Sequence, residues 1–137
     1  MKRNEELQNG LLELDVKILN VYLLIIVNFL YLIIFYKERA GIIDELLNTN
    51  YQKKYPDTSN YIKIIVIILL FVNGIFLYYS YQDLKESVDL YNKTGDNTSL
   101  EQNYISFNGN LLQLVATILI FYNVFIKEAG VTTVITK

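Results

Sequence analysis

The chain has no cysteine and no histidine. Without cysteine it has no disulfide framework, no thiolate nucleophile and no thiolate-ligated metal. Without histidine it lacks the commonest metal ligand and the usual acid–base group near neutral pH. Charge is also scarce. Asp, Glu, Lys and Arg make up 19% of the residues, against about 25% in typical soluble domains. The net charge of −2 and the lack of any clustered Lys/Arg stripe leave no patch for nucleic acid. Alanine occurs only at Ala40, Ala116 and Ala129, while Ile, Asn, Lys and Tyr abound, a usage that suits an AT-rich bacterial genome.

The charged residues are missing from particular places. Residues 18–36, 64–81 and 111–126 contain no Asp, Glu, Lys or Arg. Stretches of roughly 17–25 mainly apolar residues match a bilayer core when helical. Apolar side chains surround each stretch, so none carries the polar stripe of a soluble amphipathic helix. The expected fold is all-α: a small integral membrane protein with three transmembrane helices that extend beyond the bilayer. It forms one membrane domain over residues 1–137, with spans at about 16–36, 62–81 and 110–127. The first stretch is too long for a signal-peptide core, and Glu5, Glu6, Glu13 and Asp15 outnumber the preceding cations, so it reads as a retained span.

Extensions of these helices are visible in the connections. Ile42, Ile43, Leu46 and Leu47 keep helical spacing beyond the first span, which either continues or bends at Gly41. Leu84, Val88 and Tyr91 do the same beyond the second. The resulting helices are expected over residues 15–47, 59–91 and 99–127. Pro56 separates the first two, with Asp57 or Ser59 placed to cap the second. Thr98 and Glu101 have the spacing of a capping box ahead of the third.

Orientation follows from Lys and Arg in the connections. Seven lie on the side that receives residues 37–63 and the C-terminal tail, five on the other. The positive-inside rule then puts the N-terminus outside and the C-terminus in the cytoplasm, as a multi-pass protein of the cell membrane. Tyr36, Tyr51, Tyr55, Tyr61 and Tyr122 gather near one face and Tyr78, Tyr79 and Tyr81 near the other, as an interfacial aromatic belt requires.

The candidate functional residues are polar groups at membrane depth. Asn28, Asn73 and Thr117 stand near the middle of their spans, with Asn20, Gln113 and Asn123 farther out. An unpaired amide in hydrocarbon costs several kcal/mol, about 4–8 by transfer to cyclohexane, so these groups are expected at helix–helix or oligomer contacts. Asn20 and Asn28 are about 80° apart around a helix, so one interior cannot easily receive both. Gly74 has Leu70 and Tyr78 four residues away, so it forms no small-xxx-small motif and reads as a kink or packing notch.

No ionisable group sits centrally in any span, whereas proton relays and most ion-coupled transporters place one there. No phosphate loop or catalytic pairing appears either, so neither an enzyme nor a cofactor or metal site is expected. The leading function is a non-catalytic membrane protein that acts by self-association or by binding a larger membrane partner. The competing class is an oligomeric pore former, holin-like or membrane-permeabilising, lined by Asn28, Asn73 or Gln113.

Overall fold

The computed structural model describes residues 1–127. The C-terminal tail expected in the cytoplasm, residues 128–137, lies outside the described residues. The described residues are 88% helical, and no strand occurs among them. Helix α1 spans Lys2–Leu47, α2 spans Tyr61–Thr94 and α3 spans Leu100–Tyr122. A 3₁₀ turn at Tyr51–Lys54 follows α1, and a π turn at Asn123–Lys127 ends α3. All three helices are long and apolar enough to cross a membrane. The chain divides into two compact units, Met1–Ile68 and Leu69–Lys137.

The first unit is dominated by α1, whose 46 residues reach about 69 Å at ~1.5 Å per residue. It begins well before residue 15, the expected start. Glu5 lies in the first turn, where a carboxylate favours the positive end of the helix dipole. Glu13 and Lys17 form an ion pair of 2.7 Å in the favourable order, acid before base at i,i+4. With Glu, Leu and Gln filling half of the other positions, helix propensity carries through Gly10. Inside the unit Asn20, Val27 and Ile34 are buried one heptad apart, and Ile65 and Val66 on α2 are almost fully buried.

Helix α1 continues through Gly41 without interruption to Leu47. Asn48 ends it in the left-handed region, φ 54°, a conformation asparagine tolerates better than most residues. Asp44 then organises the connection. Its carboxylate accepts the Thr49 hydroxyl at 2.5 Å and the Tyr51 and Gln52 N–H groups at 2.8 Å each, so it caps the 3₁₀ turn. Gln52 in turn lies over Gly41, where an added Cβ would meet Gln52 Nε2 at 2.7 Å. Lys37 Nζ donates to the Pro56 carbonyl at 3.0 Å.

Partial desolvation pushes the Asp44 pKa up, but the bonds from Thr49, Gln52 and Tyr51 outweigh it and the net shift is downward. A depressed native pKa stabilises the loop above the ordinary carboxylate value and loses that contribution as pH falls through the depressed one. The Tyr51 and Gln52 amide resonances are therefore expected to hold their positions down to about pH 4 and to move only below it. In Asp44→Ala they should sit at the loosened positions already at neutral pH. Unchanged resonances in that variant would remove Asp44 as the cap.

Near α2 the expected cap is replaced by a turn. Asp57 Oδ1 accepts the Ser59 N–H at 3.0 Å, two residues before α2 begins at Tyr61. The capping box ahead of α3 is also absent. Asp96, an ionised acceptor, takes both the backbone N–H and the hydroxyl of Thr98. Ser99 is the N-cap and makes no side-chain cap bond, because its hydroxyl faces that of Ser87 at 3.3 Å. A charged acceptor near Thr98 outcompetes the neutral cap geometry.

Candidate helix-association site

In the second unit, α2 and α3 are joined through a turn at Gly95, whose φ of +72° is one that glycine adopts without a Cβ penalty. The two helices then meet through a ladder of polar rungs. Asn73 Nδ2 on α2 donates to Thr117 Oγ1 on α3 at 2.7 Å. Asn110 on α3 donates to Ser80 on α2, and Asn103 on α3 donates to Ser87 on α2. Asn103 also reaches the Asp83 carbonyl at 3.2 Å.

The three rungs share one design. In each, the hydroxyl gives its own proton to the carbonyl four residues back: Thr117 to Gln113 and Ser80 to Phe76 at 2.8 Å, Ser87 to Asp83 at 3.0 Å. The hydroxyl oxygen keeps its acceptor lone pairs, and the asparagine amide across the interface fills one. Asn73, Ser80 and Ser87 are one heptad apart on α2, and so are Asn103, Asn110 and Thr117 on α3. Each rung is centred in sequence on Gly95. Heptad spacing on both helices keeps a single seam facing its partner, as in left-handed coiled coils.

Apolar residues fill the seam between rungs. Phe107, Leu114 and Phe121 are half-buried on α3 between the rung positions, and the Tyr81 and Phe107 rings lie 6.2 Å apart. Thr117 and Val124 are buried, whereas Leu112, Leu119 and Ile105 on the other faces are 65–69% exposed. One narrow stripe of α3 therefore carries its packing within this unit.

The expected site residues separate into distinct environments. Asn73 and Thr117 come together as a rung. Asn20 is fully buried, yet neither of its amide atoms has a hydrogen-bond partner among the described residues. Asn28 is exposed near the middle of the first charge-free run and lines a shallow depression of about 430 Å³ with Tyr31, Leu32 and Phe35. Gln113 is exposed and enters the ladder only through its backbone carbonyl. Asn123 is exposed at the start of the π turn. Gly74 is no packing notch: an added Cβ there would have nothing within 4 Å.

Ser80, Ser87, Asn103 and Asn110 were not among the expected site residues. Ser87 and Asn103 lie outside the expected spans, and Ser80 and Asn110 lie at span ends, so a criterion based on central membrane depth does not select them. The heptad recurrence of Asn and Ser/Thr was the signal that would have found them. Among the described residues, no cluster of three or more carboxylates gathers to hold a metal ion.

Three helices long and apolar enough to cross a membrane, two of them joined by paired amides and hydroxyls, are compatible with a multi-pass membrane protein. Comparison of the chain with protein-family models, curated proteins and solved structures finds no match to any of them.

Proposed function

We propose that the chain is a non-catalytic protein of a bacterial cell membrane that acts by association, with further copies of itself or with a larger membrane partner. The observation that carries this reading is the contrast between amides. Asn73, Asn103 and Asn110 are spent on rungs inside one chain, while Asn28 stands exposed at membrane depth with no hydrogen bond among the described residues. An amide facing hydrocarbon is costly, and the lowest-energy resolution is a polar partner from another chain. The lack of cysteine and histidine, and the absence of charge from the three runs, support a role without catalysis or ion coupling.

Mass measurement in nanodiscs, paired with dye-loaded liposomes, tests the reading. At least two chains per particle and full dye retention are expected. A single-chain mass contradicts self-association, and dye release would favour the pore-forming alternative, in which exposed Asn28 and Gln113 line a lumen.

The Lys/Arg asymmetry supports an outside N-terminus with Lys53 in the cytoplasm. Because the native chain has no thiol, an impermeant maleimide on intact cells should label Asn97→Cys and spare Lys53→Cys. The opposite labelling would reverse the orientation.

A further inference from the structure

Helix α1 carries two heptad series. The one through Asn20, Val27 and Ile34 is buried. The other starts at Leu7, Leu11 and Leu14 and keeps the same four–three spacing through Asn28 to Phe35. Every member except Asn28 is apolar and more than half exposed. It covers about four heptads, the length at which such a pattern marks a coiled-coil seam.

Two features say what covers it. Leu7, Leu11 and Leu14 precede the charge-free run and are 63%, 61% and 58% exposed among Glu, Gln, Asn and Asp neighbours, where lipid tails do not cover them. The helix is unbroken from Lys2, so this stretch continues the axis of the span and does not fold down onto the bilayer surface. Asn28 supplies the second feature. Its amide offers both a donor and an acceptor, so it is complementary to itself and not to Leu, Ile or Phe. Copies of one chain insert with one orientation, so paired α1 helices are parallel and equivalent residues face each other across a two-fold axis along the membrane normal.

We propose that α1 pairs with α1 of a second copy of this chain as a parallel, in-register coiled coil along the seam from Leu7 to Phe35, with Asn28 bonded to Asn28. This rests on the association reading above and names its partner and face. The amide fixes the register: a slip of one heptad sets Asn28 against Val21 or Phe35 and leaves it unpaired.

Single-cysteine variants of the full chain in liposomes test the seam. Leu14 and Leu12 are similarly exposed, at 58% and 62%, but only Leu14 belongs to the series. Under mild oxidation Leu14→Cys is expected to give mainly disulfide-linked dimer, and Leu12→Cys roughly tenfold less. Asn28→Leu should raise the dimer dissociation constant about three- to twentyfold, the range for an interhelical hydrogen bond in a membrane. Equal cross-linking at the two positions, or preference for Leu12→Cys, overturns the seam. If the wild type still has a multi-chain mass in nanodiscs, the association reading survives that loss. A single-chain mass removes both.

Discussion

Thr117→Val is expected to destabilise the α2–α3 unit by about 1–3 kcal/mol, although the replacement has almost the same shape. The change removes the one oxygen that accepts from Asn73 Nδ2. The Asn73 amide then stays half-buried near the middle of the second span with no partner, so the cost is its desolvation and not merely the lost bond. Asn73→Leu is expected to be milder, about 0.6–1.7 kcal/mol. Thr117 still donates to the Gln113 carbonyl in that variant and leaves no donor stranded. The double variant Asn73→Leu/Thr117→Val should recover most of the loss, because replacing both partners by apolar groups of similar shape is close to neutral. Reversible unfolding in bicelles, run as a double-mutant cycle, measures the coupling. Strictly additive effects would mean that the rung contributes nothing.

Asn20→Leu is expected to act in the opposite direction and stabilise the protein by about 1–3 kcal/mol. Asn20 is fully buried with both amide atoms unpaired, and leucine has the same branched side-chain skeleton with methyl groups in place of the amide atoms. Natural chains retain such groups where an outside molecule satisfies them or where selection acts on something other than stability. The same unfolding assay decides. A loss of stability in Asn20→Leu would show that the amide has a partner from outside the chain, such as an ordered water.

Much of the fold was legible because hydropathy reports directly on lipid contact. Three charge-free runs became three helices, and the extensions at Leu46–Leu47 and Leu84–Tyr91 are helical. The first turns of α1 lie before the expected start at residue 15, because polar residues mark where a span ends and not where a helix ends. Helix propensity and the Glu13–Lys17 pair do not stop at the membrane surface. The capping box at Thr98 failed for a local reason: the competing acceptor, Asp96, is only two residues away and charged.

The site was legible at one rung. Asn73 and Thr117 are recognisable as membrane-depth polar groups, but sequence depth alone could not pair them. Pairing needs the antiparallel register, which the turn at Gly95 sets, and that register is what brings Ser80 to Asn110 and Ser87 to Asn103. The angle of about 80° between Asn20 and Asn28 is readable from the sequence, and the structure shows which of the two turns inward and which outward.

That division of the amides, some spent within the chain and one left for a second chain, has a direct measurement. It is the dimer dissociation constant in nanodiscs of Asn28→Leu beside Asn73→Leu, with the unfolding stability of each. Asn28→Leu should weaken the dimer and leave the stability of the α2–α3 unit unchanged. Asn73→Leu should lower that stability and leave the dimer unchanged. A dimer weakened by Asn73→Leu and indifferent to Asn28→Leu would contradict the assignment.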